Sequence, residues 1–594
     1  MEIGKKKCNN MCFIFLGGCI FYISYIIYIY WNTPFFDTMF DFLWLPEKYH
    51  EGILSIGDFR FRYVEHGMMG YSLFYLVNSL FFGLSMRFDI ILNIILVMLS
   101  GAVACIAYYK TIKKRSFLFY IGLVLIVLVM FSPTQGFHSG MSIQIRLGMT
   151  LAFIALFYSE KINQNETPSK KSYVLLYILI VFSYLIFGTF YTFSWIAAIM
   201  VVYSLRMIYE RVKKIHSRNK EYCIEMGIMV MCVVLYFLFY KPSIGKQLSG
   251  NSENPFEFIF SLAKFIIISM GSVTLPWDAI GDGLISENLL RLNSLYVTIF
   301  TLIAVILFFK TKMWTKTFLP LIMILYTLAI FCQIYLGRSS SGGIYWAYNS
   351  WYNVHTKFLL VAVIWVYFYA ILEARPIRFK LFTFNLKSIR AVLMCLIIII
   401  AISFFSGFTL FTKRVSHIKV WIENKVHYLT GDAVLTADVN GNTELLVPYE
   451  KAIHGIEILK KYRLSIFRIG KINFFPQTNI KYNGFYEEDS NGRWITGNAS
   501  IIIENNPNAT HFLLAGYYPE NWPENKITIS INNNESKTIN LVPDKSFNID
   551  LEFENIFDNI YITIKTDNYY IPKIEGWNAD SRELGAYINS WSLF

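Results

Sequence analysis

The stretch "AVLMCLIIIIAISFFSGFTLFTKRVSHIKV", Ala391 to Val420, decides the fold, because the character of the chain changes inside it. Up to Phe411 it is an apolar run of about 20 residues, the length an α-helix needs to cross a bilayer core of about 30 Å. Similar runs recur all the way back to Phe13. After Thr412 they stop, and Asn, Asp, Glu, Ser and Thr take over with short alternating runs such as "NASIII", "KITISI" and "IYITIK". Alternation of that kind marks half-buried strands. The pattern therefore predicts an α-helical polytopic membrane protein over residues 1–412, joined to a mainly-β sandwich. A helical or mixed connector fills 413–480, and the sandwich fills 481–594. In the connector, "YEKAIHGIEILKKYRLSIF" carries Ile453, Ile456, Leu459 and Leu464 near helical period.

Composition agrees with the membrane reading. Of 594 residues 55% are hydrophobic and only 16% charged, too little polar surface for a soluble globule of this size. The net charge of +12 raises the question of nucleic acid, but its placement answers it. The bases sit in short loops between apolar runs: Lys5 to Lys7, Lys110 to Arg115, Lys170 and Lys171, Arg206 to Lys220, Lys310 to Lys316. Short Lys/Arg loops stay cytoplasmic, so these clusters report topology and not a nucleic-acid face.

With those markers the chain is expected to cross about eleven times. The expected spans are Phe13–Trp31, Ile90–Tyr109, Phe117–Ser132, Ser142–Tyr158, Tyr173–Gly188, Phe190–Leu205, Cys223–Phe239, Ser294–Phe309, Phe318–Leu336, Phe358–Leu372 and Ala391–Phe411. The N-terminus is then cytoplasmic and the C-terminal domain extracytoplasmic, in the cytoplasmic (inner) membrane of a cell. Two further apolar stretches, Tyr71 to Met86 and Phe256 to Met270, read as helices lying in the outer interface, since counting either as a span would reverse every later basic loop. The first span lacks a small-residue cleavage site and reads as an uncleaved anchor. Eight cysteines fall outside the external loops and form no CxxC pair, which speaks against an exterior disulfide framework or a structural zinc.

The interior thirds of these spans carry almost no ionisable side chains, whereas a pump or ion-coupled carrier needs them at midplane depth. The polar chemistry collects instead in the first external loop, residues 32–89. It opens with "NTPFFDTMFDFLW" (Asn32 to Trp44) and holds Asp37, Asp41, His50, Asp58, Arg60, Arg62, Glu65 and His66. Acids pressed against a membrane surface and partly shielded from water have raised pKa values, which suits a general base.

This layout, "PFFD" after the first span, "GDFRFRYVEH" leading into an interfacial helix, and "LGRSSSGGIYWAYNSWYNVHTKF" (Leu336 to Phe358), resembles the GT-C class of integral-membrane glycosyltransferases, bacterial cell-envelope branch. The resemblance covers the membrane part in layout and about three short stretches in residues. It implies sugar transfer from a polyprenyl-phosphate donor to an envelope glycan acceptor, such as a teichoic acid or O-antigen. In that scheme Asp37 is the base and Asp41 orients the acceptor. Glu65 and His66 contact the acceptor or the leaving phosphate, and Arg338 clamps the donor phosphate. Relatives often read Asn-Glu-His-Arg where this chain has "VEHG", Val64 to Gly67, so Arg60 or Arg62 is the candidate for the missing phosphate contact. Arg146, Tyr352 and His355 lie at external mouths and complete the expected substrate-binding set; His138 shares that position. Asp278 and Asp282 read as a Gly-rich turn. A lipid-linked glycan polymerase or ligase, or a lipid-linked oligosaccharide flippase or transporter, is the alternative.

No cofactor is required. A divalent metal held by His50, Asp58 and His66 has no fixed spacing behind it, and no metal site is assigned. The C-terminal phrases "NGRWITGNASI" and "IEGWNADSRELG" are similar to β domains on bacterial envelope glycosyltransferases, through Glu487 or Glu488, Arg493, Trp494, Gly497, Asp580, Arg582, Leu584 and Gly585. They imply a carbohydrate-binding module with Trp494 and Trp577 as glycan contacts. A core role for Trp494 and a turn-fixing pair of Arg582 with Asp580 or Glu583 are the structural readings of the same residues.

Overall fold

The structure is a computed structural model. It describes residues 2–29, 42–63, 66–132, 140–164, 168–212, 219–240, 255–275, 286–342, 347, 352–373, scattered positions in 390–412, 449–462, 464, 479–489, 492–504, 511–532, 535–553, 559–576 and 580–593. It divides into two compact units, 1–423 with 458–466, and 424–457 with 467–594.

The first unit is helical: α1 (Glu2–Ile29), α2 (Trp44–His50), α3 (Met69–Phe82), α4 (Met86–Thr111), α5 (Phe117–Met130), α6 (Gly140–Gln164), α7 (Lys170–Val181), α8 (Phe193–Val212), α9 (Asn219–Phe239), α10 (Pro255–Ser272), α11 (Glu287–Lys310), α12 (Leu319–Gly342) and α13 (Asn353–Glu373). Among the described residues seven segments are long and apolar enough to cross a membrane: Asn10–Tyr28, Met86–Thr111, Phe190–Val212, Asn219–Phe239, Glu287–Lys310, Leu319–Arg338 and Val354–Glu373. Val354–Glu373 is buried along its whole length, which is why its sequence is apolar on every face and not on one stripe.

Seven is fewer than the eleven expected, and the differences have local causes. Phe117–Met130 has 14 residues, roughly 21 Å of helix, short of a bilayer core. Gly140–Gln164 is long, but Gln144, Arg146 and Thr150 interrupt its apolar run. The expected span Tyr173–Gly188 is a 12-residue helix that ends in a single π turn, Phe182–Ile186. A Cβ on Gly188 would sit 2.1 Å from the Tyr184 carbonyl oxygen, so the close return of the chain there requires glycine. The chain then passes through a 3-10 turn, Phe190–Thr192, into α8. Much of Ala391–Phe411 lies outside the described residues. The two leftover apolar stretches are helices, α3 and α10, close to the bounds expected of them.

The second unit holds most of α14 (Tyr449–Lys461) and eight strands: β3 (Asn479–Asp489), β4 (Gly492–Glu504), β5 (His511–Tyr518), β6 (Asn525–Ile531), β7 (Glu535–Leu541), β8 (Lys545–Glu552), β9 (Asn559–Thr566) and β10 (Ala586–Leu593). The helical unit carries a two-stranded hairpin, β1 (Arg62–Tyr63) and β2 (His66–Gly67). The eight strands form one antiparallel sheet in the order β7-β6-β9-β4-β10-β5-β8, with β3 also on β4. Strand β4 serves two neighbours in turn: residues 493–495 pair with β10, and residues 498–504 with β9. The β3 ladder shifts register twice around Gly484, whose φ of +73° favours glycine, and a Cβ there would meet the Asn498 carbonyl oxygen at 2.4 Å. Both halves send alternate residues into a single core, Ile527, Ile529, Ile562 and Ile564 from one and Phe512, Leu514, Ile549 and Ile588 from the other.

Candidate functional site

A cluster of polar side chains converges at one end of the helical bundle. The β1–β2 hairpin brings His66 there, opposite Tyr63 in the ladder. Its next residue, Gly67, donates its N–H to the Tyr236 hydroxyl, and a Cβ on Gly67 would lie 2.7 Å from the Tyr240 ring. Only glycine lets the hairpin approach α9 this closely. His66 is 1% exposed, and its Nδ1 has no hydrogen-bond partner. Burial, and behind it the Arg338 cation, pull its pKa down to about 3, so His66 is neutral near pH 7. A neutral imidazole both donates and accepts hydrogen bonds.

Tyr191, on the 3-10 turn ahead of α8, stands between two imidazoles. Its ring centroid is 4.7 Å from that of His66 and 4.8 Å from that of His355. Tyr352 meets it edge-on at 6.0 Å. The turn is fixed by Gln333, which donates from Nε2 to the Phe190 carbonyl at 3.1 Å. His355 Nδ1 lies 2.6 Å from the Tyr326 hydroxyl, and Tyr326 stacks on Trp195 at 4.0 Å. From α6, Gln144 accepts the Tyr71 N–H at 2.6 Å, holding the first turn of α3, while its Nε2 has no partner. Arg146, two residues further along α6, is 1% exposed.

Of the expected substrate-binding residues, the structure brings His66, Arg146, Arg338, Tyr352 and His355 to this end of the bundle. Arg60 and Arg62 go elsewhere. Arg60 donates to the Phe239 carbonyl at 3.0 Å with its guanidinium 4.5 Å from the Phe239 ring, and Arg62 lies over Phe237 at 5.5 Å. Both cations cover the C-terminal end of α9, where the helix dipole favours positive charge. Asp37, Asp41, Glu65 and Trp577 lie outside the described residues, as do His138, Asp278 and Asp282.

The three residues considered for a metal are separated by their contacts. His50 stacks on Tyr462 at 4.5 Å. Asp58 accepts from Lys48 at 2.7 Å and from the Ser55 hydroxyl at 2.8 Å. Burial opposes the charged form of Asp58, but those hydrogen bonds outweigh it and hold its pKa at about 2. Among the described residues no group of three His, Cys, Asp or Glu is placed to hold a metal ion. In the β-rich unit, Trp494 is half-buried; it stacks on Trp522 at 5.2 Å and meets Tyr587 edge-on at 5.2 Å. One indole face is thus taken up by packing. Arg582 forms a bidentate pair with Asp580, at 3.0 and 2.6 Å, that fixes its turn and lowers the Asp580 pKa.

Sequence reasoning missed Tyr191, Gln144, Tyr326 and Lys357. Lys357 had a signal, since a lysine at the head of the apolar run "FLLVAVIWVYFYAIL" is costly to bury and therefore informative. Tyr191 had none, being one tyrosine of 40.

Ionisable groups also lie deeper than the spans suggest, though within the first two turns of their helices. Asp89, Arg146, Glu225 and Lys357 are all buried. Glu225 accepts from Ser159 at 2.7 Å and from Tyr203 at 3.1 Å. Ser159 is 13 residues beyond Arg146 on α6, roughly 20 Å along the helix, so this carboxyl marks the opposite end of the bundle. No protein-family model, no curated protein and no solved structure matches the chain.

Proposed function

We propose that the chain is a membrane glycosyltransferase of GT-C type, moving a sugar from a polyprenyl-phosphate donor to a cell-envelope glycan on the outer face of the cytoplasmic membrane. The observation that carries this reading is the buried cluster of imidazoles, tyrosines and cations at a single end of an apolar bundle. The segment from Asn32, with Asp37, supplies the base. In the reaction, Asp37 takes the proton of the acceptor hydroxyl while that oxygen attacks the anomeric carbon. The bond from that carbon to the donor phosphate oxygen breaks, and the phosphate leaves with its charge facing Arg338. One displacement inverts the anomeric centre. Neutral His66 suits hydrogen bonding to a sugar hydroxyl, since it both donates and accepts.

The test is Asp37→Asn in the full chain, read by glycan modification in cells in which the protein is shown to reach the membrane. Loss of modification is expected; normal modification removes the assigned base.

The second reading is transport of a lipid-linked glycan, favoured by the buried Glu225 at the end of the bundle away from His66. Glu225→Gln separates the two: a transporter loses translocation, whereas a transferase keeps single-turnover transfer to an added acceptor.

A further inference from the structure

The end of α9, Tyr236 to Tyr240, touches both pieces of chain that deliver the central residues of the site. On one side it holds the hairpin: the Tyr236 hydroxyl accepts the Gly67 N–H, Arg60 donates to the Phe239 carbonyl at 3.0 Å, and the Arg62 guanidinium lies over Phe237. His66 is carried by that hairpin. On the other side it holds the return from α7 to α8. Phe187 closes the π turn by donating to the Phe182 carbonyl at 2.8 Å. The Tyr240 hydroxyl then donates to the Ile186 carbonyl at 2.9 Å and the Leu185 carbonyl at 3.1 Å, at the point where a helix runs out of its own donors. The Tyr236 ring meets Phe193 edge-on at 4.9 Å, two residues past Tyr191. Phe187 also lies against Gly70 at the start of α3, where a Cβ would be 2.2 Å from its ring. Both tyrosines are buried, Tyr236 at 0% and Tyr240 at 1% exposure.

We propose that the end of α9 is a latch: Tyr236 and Tyr240 are positioning residues that set His66 and Tyr191 against each other, so that the hairpin and the π turn open as one unit. The ring contact of Tyr191 with His66, 4.7 Å between centroids, joins segments far apart in the sequence. Such a contact keeps its geometry only where both segments are referred to a common support. Hydrogen bonds to a buried hydroxyl supply that support with a direction, which apolar packing alone does not. The π turn is the half with an alternative. Regular α pairing of the same residues would displace every residue after it, Tyr191 included, and the bonds from Tyr240 to both carbonyls oppose that shift. The proposal rests on the reading above for what the site is used for, and not for the coupling itself.

The test is hydrogen exchange read by mass spectrometry on the purified full chain in non-ionic detergent. In the unaltered protein the hairpin and the π turn are expected to share one opening free energy and one urea dependence. Two distinct openings overturn the latch, whatever a variant does. Tyr240→Phe removes the hydroxyl and keeps the ring. It is expected to raise exchange at least about tenfold in the hairpin, whose hydrogen bonds it leaves intact, as well as in the π turn. Tyr236→Phe is expected to do the same in the π turn. Loosening confined to the segment that each hydroxyl bonds makes both tyrosines local supports and overturns the proposal. Transfer gives a second readout, in membranes that hold the cells' own lipid donor and envelope glycan. Tyr240→Phe is expected to raise KM for the glycan about tenfold with kcat kept within about twofold. A lowered kcat at unchanged KM, the mark of less folded protein, overturns the positioning role. Shared exchange with no transfer by the unaltered protein sinks the glycosyltransferase reading and leaves the latch; separate exchange with transfer intact sinks the latch alone.

Discussion

The two units treat buried polar groups in opposite ways. In the β-rich unit Asn525 is buried and fully used: its Nδ2 donates to the Asn568 carbonyl at 2.8 Å, and its Oδ1 accepts from Lys526 and Asn568 at 2.9 and 3.1 Å. In the helical unit Gln144 is buried and half used, and His66 Nδ1, Ser72 Oγ and Glu225 Oε1 are likewise without partners. Among the described residues no such atom falls in the β-rich unit. Leaving a buried donor or acceptor unmade costs about 1–3 kcal/mol, so a protein keeps several in one region only where something else compensates. Among the described residues, unmet polar capacity is thus confined to the helical unit.

The largest effect that sharpens this contrast is on turnover. Asp37→Asn is expected to cut transfer by about 10²–10⁴-fold, the usual contribution of a general base. Trp494→Ala, removing a packed indole, should change transfer less than tenfold while lowering the melting temperature of the β-rich unit. Equal losses of transfer would break the division of labour. Next comes the β core, where Ile562→Ala should cost about 2–5 kcal/mol because a fully buried isoleucine leaves a cavity; urea unfolding followed by proteolysis in 479–593 measures it.

His66 gives an effect with a sign in pH. Its folded pKa of about 3 lies below the ordinary 6.5, so below pH 6.5 the unfolded chain takes up a proton that the folded one refuses. Stability contributed by the neutral form is complete above pH 6.5 and declines as pH falls toward 3. His66→Gln should flatten that part of the stability profile, and an unchanged acid slope would show that His66 is not held neutral. The smallest effect is at Asp58, where Asp58→Asn should cost about 0.5–2 kcal/mol through loss of the Ser55 capping box. Because the folded pKa is depressed, this contribution is present above about pH 4 and fades as pH falls through 2.

Local pattern was legible in the sequence and long-range convergence was not. "KITISI" and "IYITIK" are strands β6 and β9, and "YEKAIHGIEILKK" is α14. Each is specified by a period that a short window contains. The switch of β4 from one neighbour to the other had its signal in Gly497, between the two paired stretches, but a glycine in a strand does not say which partner it admits. At the site, His66 and Arg338 stood out through the resemblance of their short stretches, and His355 through its place at an external mouth. Tyr191 and Gln144 did not, since their role depends on helices far apart in sequence meeting at one end. Seven of the expected crossings are long and apolar enough among the described residues, and hydropathy, which counts apolar residues, is blind to a π turn such as Phe182–Ile186 or to a buried Arg146.

Strand β10 lies between β4 and β5, and its Tyr587 pairs with Trp494, 93 positions earlier in the chain. Loop-closure entropy for such a pairing is spent before any contact rewards it, which places this region among slow folders. Until β10 arrives, the outer edges of β4 and β5 stand open to any extended peptide nearby. Those two edges are the last in the sheet to be covered, and they are the stretch that a half-folded chain leaves exposed.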